Sequence, residues 1–84
     1  MPDPASTIQH ILVLRRVDPE HGVARFYMLA IERDLFGTIR LIRTWGRIGT
    51  RDRELADVFE TEEQAAEALE ALAAAKRRRG YIDL

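Results

Sequence analysis

Trp45, Gly46 and Arg47 are consecutive residues whose types are well suited to recognising another molecule. Trp45 is the only tryptophan of the chain, and its indole offers a large flat face for stacking. Arg47 carries a planar guanidinium fork that fits a phosphate or a carboxylate. A hydrophobic core needs neither group beside a glycine-rich turn, and Ile48-Gly49-Thr50 follows at once. The tripeptide therefore predicts a surface site that stacks on a flat ring and holds an anion.

Arginines are concentrated around this tripeptide. From Arg40 to Arg53 the chain has five arginines and one acidic residue, whereas residues 54–70 have seven acidic residues and no basic one. Arginines that neutralise phosphates beside a stacking ring are typical of nucleic-acid interfaces. We therefore predict one nucleic-acid-binding site made of Trp45, Gly46, Arg47, Arg43, Arg51 and Arg53.

Both features also have a structural interpretation, which the sequence leaves open. The indole of Trp45 could pack beside Ile39 and Leu41 beneath a helix, as the sole tryptophan of many small domains does. The arginines could form ordinary ion pairs across neighbouring strands, with Asp52, Glu54 and Asp57 as the partners.

Composition excludes several classes of function. The chain has no cysteine, and its two histidines lack partners at metal-ligand spacing, so we expect no metal site. Neither a nucleophilic triad nor a phosphate-cradling glycine loop can be assembled, so we expect no enzyme and no cofactor. The N-terminus does not resemble a signal peptide, and no apolar run could span a membrane. These observations predict a cytoplasmic protein without membrane contact.

Hydrophobic periodicity predicts the elements that must position the site. Alternating and branched residues indicate four strands, over residues 8–17, 24–33, 38–46 and 53–59, joined by short turns. In the second strand both faces are partly apolar. A capping box at Thr61 and Gln64 begins a helix, and Gly80 ends it. The basic run Lys76–Arg79 is interpreted as the complement of the helix dipole rather than as a binding site.

The arrangement is that of an α+β domain. We predict a four-stranded antiparallel meander with one C-terminal helix packed on one face. Residues 8–84 are expected to form this single domain, preceded by a flexible N-terminus over residues 1–7.

The stretch Trp45 to Thr50 resembles the WGR domain family, which takes its name from the tripeptide. Leu35-Phe36-Gly37 before the third strand and the closing Lys76…Gly80-Tyr81 are similar to the family's pattern as well, whereas Arg51-Asp52 stands where a further glycine is common. In DNA-damage-activated poly(ADP-ribose) polymerases this domain contacts broken DNA ends. The resemblance implies that Trp45 stacks near a terminal nucleotide and that Arg47 contacts DNA or a neighbouring domain. It implies a stand-alone bacterial version without transferase activity.

Two functions follow as hypotheses. The first is a DNA-binding module that contacts ends or nicks, and the second is a protein-interaction module that uses the same arginine-rich face without binding DNA. A small enzyme is a third and weaker hypothesis. The sequence leaves the form of the DNA, the protein partner and the oligomeric state open.

Overall fold

The computed structural model of this chain describes residues 7–84, with side chains from His10 onward. The predicted flexible segment, residues 1–7, lies outside this range except for Thr7, which begins the first strand. In chain order the elements are β1 (Thr7–Asp18), a 3-10 turn (Pro19–His21), β2 (Val23–Arg33), β3 (Ile39–Arg47), β4 (Arg53–Phe59), α1 (Glu62–Arg78) and β5 (Ile82–Asp83).

The strands form one antiparallel sheet in the order β4-β3-β2-β1-β5. This confirms the α+β class and the meander of the first four strands. The prediction of four strands was one short, because the chain reverses after α1 and pairs Ile82 and Asp83 with β1. A two-residue strand is too short to show an alternation of apolar and polar residues. Its pairing therefore depends on the position at which the chain leaves the helix.

The hydrophobic core lies between α1 and one face of the sheet. Leu14, Leu29, Ile31 and Leu41 contribute its fully buried side chains from three adjacent strands. The helix contributes Ala65, Leu69 and Ala73 at helical spacing. Because two of these three residues are alanines, the helix can approach the sheet closely. The opposite face of the sheet has no helix among the described residues.

Of the two hydrogen bonds of the predicted capping box, the structure contains the one made by the Thr61 side chain. The Thr61 hydroxyl accepts a hydrogen bond from the backbone N–H of Gln64 at 3.1 Å. The Gln64 side chain, however, accepts from the backbone N–H of Glu60 at 3.3 Å, one residue before the N-cap. Both bonds satisfy backbone donors at the helix entrance, where intrahelical acceptors are absent.

The turn between β2 and β3 is organised by the side chain of Asp34. Its carboxylate accepts from the backbone N–H groups of Thr38 and Phe36, each at 2.9 Å, and from Arg40 at 3.0 Å. The Thr38 N–H chiefly, with the Phe36 N–H and the Arg40 charge, holds the pKa of this carboxyl below its usual value, against a smaller opposing effect of burial. The turn is therefore stabilised by the ionised form of Asp34.

We predict a pH-dependent difference in stability between the wild type and Asp34→Asn. Because the folded-state pKa is depressed, the stabilisation is present above the unfolded-state pKa, near 3.8, and is lost as the pH falls through the folded-state pKa. Asparagine is neutral throughout, so the excess stability of the wild type should shrink below about pH 4. Urea unfolding of both proteins from about pH 3 to pH 6 measures this, and a pH-independent difference would contradict it.

Candidate functional site

Two aromatic rings from adjacent strands form the floor of the site. Tyr27 of β2 and Trp45 of β3 are paired in register, so their side chains emerge side by side on the helix-bearing face. Their ring centroids lie 6.0 Å apart with an angle of 23° between the planes, which is a stacked arrangement. Tyr27 is buried, whereas Trp45 is half-buried and packs against the core along one side. The indole is thus held rigidly while part of it stays accessible.

The C-terminal end of α1 places a cation, Lys76, and a third ring, Tyr81, beside the Tyr27 ring. Gly80 has φ +95°, the left-handed conformation, and its N–H donates to the Arg77 carbonyl at 3.0 Å. The Tyr81 N–H donates to the Lys76 carbonyl at 3.1 Å, which completes a Schellman motif. This reversal returns Tyr81 beneath Lys76, whose Nζ lies 4.4 Å from the centroid of the Tyr27 ring and 5.5 Å from that of Tyr81.

Lys76 lies in a cationic environment. Burial lowers the pKa of its amine most, and the charges of Arg79, Arg25 and Arg43 lower it further. The two tyrosine faces offset part of this cost through cation–π attraction. An anion that entered the cleft would favour the charged amine, so the arrangement is prepared for a negatively charged ligand.

We predict that Gly80→Ala weakens the site through the backbone. An alanine at φ +95° is strained, so we expect a loss of about 1 kcal/mol in the free energy of unfolding. Tyr81 and Lys76 should be displaced together, since the same reversal positions both. Urea unfolding measures the first effect, and the tyrosine ring resonances in NMR spectra report the second. Unchanged stability and unchanged resonances would contradict this account of the reversal.

Four arginines surround the aromatic floor. Arg25 and Arg47 are register partners on β2 and β3, and Arg53 of β4 pairs with Trp45. Arg51 reaches the same cleft from the loop between β3 and β4. That loop is closed by Thr50, whose N–H and hydroxyl both donate to the Arg47 carbonyl, at 3.1 and 2.8 Å.

Together these groups line a cleft of about 560 Å³ that contains five cationic side chains and no carboxylate. Within residues 7–84, none of the five lies within ion-pair distance of an Asp or Glu side chain. We call this surface the cationic cleft. Its lining residues are Arg25, Phe26, Tyr27, Trp45, Gly46, Arg47, Thr50, Arg51, Arg53, Lys76 and Tyr81.

Five of the six predicted site residues line the cationic cleft: Trp45, Gly46, Arg47, Arg51 and Arg53. Arg43 does not. It shares the face of Trp45, as its spacing indicated, but its guanidinium donates to Asp57 at 3.0 Å, and only 23% of its side chain is exposed. The ion-pair interpretation therefore describes Arg43. Within residues 7–84, Arg47, Arg51 and Arg53 form no ion pair, although Arg47 donates to the Gly22 carbonyl at 3.4 Å.

Gly46 has the backbone conformation of an ordinary strand residue. It lies inside β3, and its φ is not in the left-handed region. A Cβ at this position would lie 3.5 Å from the Phe26 ring, the Arg51 carbonyl and the Asp52 Cα. These are ordinary van der Waals distances, so the loop that brings Arg51 to the cleft would also accommodate an alanine at position 46.

Six lining residues were not predicted as site residues: Arg25, Phe26, Tyr27, Thr50, Lys76 and Tyr81. Arg25 and Tyr27 lie two residues apart on β2, so their side chains point to the same face. The register of β2 with β3 places them beside Arg47 and Trp45 and would have identified both as site residues. Lys76 was interpreted as a helix-dipole complement, but a lysine followed at four and five residues by Gly80 and Tyr81 signals a reversal that places the ring under the amine.

The cleft offers ring faces and positive charge, which are groups suited to binding an aromatic anion. No group of three or more metal-ligating side chains occurs in residues 7–84. Within the same range, no helix combines the length and the apolar character needed to cross a membrane. The cleft suits a ligand that carries a flat ring and several negative charges.

Comparison with known proteins gives two results. A family model described as WGR domain matches residues 10–84 of this chain. The chain is also similar to a protein of Sinorhizobium fredii named "Uncharacterized protein y4dW", with 44% identity over 70 residues. The match covers 83% of this chain and 34% of that relative, so the chain spans about a third of the relative's length.

Proposed function

We propose, from the premise that this chain belongs to the WGR domain family, that it is a non-enzymatic nucleic-acid-binding module. In this proposal the cationic cleft receives an end or a nick of duplex DNA. One observation carries it: five cationic side chains without a carboxylate surround two stacked rings. The proposal concerns the domain alone, because the match covers only 34% of the relative.

The charge of the cleft favours a polyanion over a single small anion. The cationic side chains come from β2, β3, the β3–β4 loop, β4 and α1, so they are spread around the cleft rather than focused on one point. A nucleic-acid strand presents successive phosphates at such intervals, and each neutralised phosphate releases condensed counterions. The overall net charge of −1 does not oppose this, because no acidic side chain is among the residues that line the cleft.

The aromatic floor favours an exposed base face. The Tyr27 ring stacks beside the Trp45 indole, and the accessible part of the indole faces the cleft. A base inside a duplex is covered on both faces by its neighbours, whereas a base at an end or a nick has a face free for stacking on a side chain. In our proposal Trp45 stacks on that terminal base, while Arg47 and Lys76 contact the adjoining phosphates.

Binding of labelled nicked and blunt duplexes tests the proposal. At low salt the wild type should bind, and the logarithm of its affinity should fall linearly with the logarithm of the salt concentration. Trp45→Ala should bind about fivefold to a hundredfold more weakly, because base stacking on an aromatic residue contributes about 1–3 kcal/mol. Trp45→Phe keeps a ring face and should recover part of the loss.

The matched control is Arg33→Ala. Arg33 lies on the same strand and the same face as Arg25 but about 27 Å away, next to Glu62. Circular dichroism establishes that each variant is folded, since Trp45 also contacts the core. Equal DNA binding by the wild type and Trp45→Ala would refute the proposal, as would no binding by the wild type at low salt. In the second case, a protein partner recovered after nuclease treatment would favour the protein-interaction alternative.

A further inference from the structure

The sheet face opposite α1 is covered by no helix or strand of residues 7–84. Strand parity places Ile11, Val13, Met28, Ala30, Ile42, Ala56 and Val58 on it, together with Glu32, Arg40 and Thr44. Phe26 and Gly46 have the same parity, but both also line the cationic cleft, where the β3–β4 loop passes close to Gly46. Ile11 and Val58 are 62% and 68% exposed. We call this surface the open face.

This pattern differs from that of a solvent-facing sheet. An antiparallel sheet with one wet face alternates apolar residues on the core side with polar residues on the other. Here β2 carries Phe26, Met28 and Ala30 on the side away from the helix, and β3 adds Ile42 between Arg40 and Thr44. Contiguous exposed apolar surface of this kind marks an interaction site in soluble proteins.

We propose that a second copy of this chain covers the open face, so that two sheets pack face to face. Four strands and four residue rows span about 19 Å by 27 Å at ordinary strand spacing and rise. This footprint of about 500 Å² per copy is smaller than the roughly 800 Å² per partner of a standard protein interface, so we expect a weak dimer. Two aligned sheets pack about 10 Å apart with their strands within about 30° of each other.

Residue sizes fit a twofold axis parallel to the strands. Such an axis places β2 over the partner copy's β3, and β1 over its β4. Because Ala30 and Ile42 occupy one register row, each Ala30 then faces an Ile42 of the other copy. In the same row Ile11 faces Ala56, by the pairing of β1 with β2 and of β3 with β4. Small residues thus oppose large ones, which lets the two layers interdigitate.

The two central charges of the open face, Glu32 and Arg40, pair with each other within the chain at 3.0 Å. The two charges at its edges fit this axis. Arg15 lies on β1 and Glu54 on β4, at opposite edges of the four-stranded part and in adjacent rows. Neither forms an ion pair within residues 7–84. The axis brings each Arg15 to within one row, about 7 Å along the strand, of the other copy's Glu54, a gap that an arginine side chain spans. The symmetry forms this pair twice.

The dimer leaves the cationic cleft free. The cleft opens on the helix-bearing face, so two copies joined through their open faces present two clefts that point away from each other. The inference therefore does not rest on the proposed nucleic-acid function, and its test uses protein alone.

Sedimentation equilibrium of the full chain without nucleic acid, from about 1 µM to about 1 mM, tests the inference. The wild type should show a monomer–dimer equilibrium. Arg15→Glu and Glu54→Arg should each raise the dimer dissociation constant about tenfold or more, because each replaces two attractive pairs by two repulsive ones. The double variant restores opposite charges and should return to within about threefold of the wild type.

Ile11→Lys provides a second disruption. Because Ile11 is exposed in the single chain, the substitution leaves the fold intact, which circular dichroism verifies, and it places a charge in the apolar layer of the dimer. It should leave only monomer below about 100 µM. A wild type that is monomeric throughout would overturn the inference. So would a dimer that the single charge reversals leave unchanged, or a double variant that dissociates like the single ones.

Discussion

Reversing one charge in the cationic cleft, with Arg47→Glu, should weaken binding of nicked duplex DNA about tenfold to a hundredfold. The substitution removes a charge-assisted hydrogen bond to phosphate, which contributes about 1.5–3 kcal/mol, and introduces repulsion. The new carboxylate would also attract Arg25, the register partner of position 47, and so withdraw a second cation from the ligand. The slope of the logarithm of affinity against the logarithm of salt concentration should therefore decrease by the amount that corresponds to about two phosphate contacts.

Arg33→Glu is the matched control for this variant. It changes the net charge of the domain by the same two units at the far end of β2. If binding were a property of net charge alone, the two variants would weaken it equally. The cleft predicts that Arg33→Glu retains most of the affinity while Arg47→Glu does not. Anisotropy titrations at two salt concentrations distinguish the outcomes, and equal losses would contradict the assignment of the cleft.

Leu29→Ala should produce the largest loss of stability, about 2–5 kcal/mol in the free energy of unfolding. Leu29 is 0% exposed and lies on β2 between Tyr27 and Ile31, beneath α1. Its neighbours belong to three strands and a helix, so the cavity left by the substitution cannot easily collapse. A domain of this size has a total stability near the lower end of about 5–15 kcal/mol, so the variant should be close to unfolding.

Leu55→Ala provides the comparison at a position of the same residue type. Leu55 lies on the edge strand β4 and is 44% exposed, so it loses less contact on truncation. We expect a change of about 1 kcal/mol or less. Urea unfolding of both variants measures the contrast, and similar losses would show that the core does not lie where the helix and sheet place it.

The strands followed from the sequence because their residues alternate. The predicted range of the fourth strand, residues 53–59, coincides with β4, and the first three strands agree to within one residue at each end. The fold followed from short turns and one capped helix. The fifth strand could not be predicted, because Ile82 and Asp83 pair only after Gly80 turns the chain back.

The site was predictable in part for a similar reason. The alternation of side chains along the third strand places Arg43, Trp45 and Arg47 on one face. It does not show which of the arginines forms an ion pair. That depends on the register of β4, which brings Asp57 to Arg43. Arg25 and Lys76 lie about twenty and thirty residues from Trp45 in sequence, so only the pairing of β2 with β3 and the end of α1 reveal them.

The tryptophan itself combines both interpretations that the sequence left open. Trp45 packs against the core along one side, as the structural interpretation held, and it also lines the cationic cleft. A half-buried ring is more rigid than a fully exposed one, so less entropy is lost when a ligand stacks on it. The core contact and the accessible edge are therefore compatible parts of one site.

The most direct test of the central claim is an NMR titration with nicked duplex DNA at low salt. As the only tryptophan, Trp45 gives a single indole N–H resonance. We predict that this resonance shifts on titration, together with the backbone amides of Arg25, Thr50 and Arg53, while those of Val13, Met28 and Ala56 on the open face stay in place. No shift of the indole resonance, or shifts confined to the open face, would contradict the assignment of the cationic cleft as the nucleic-acid site.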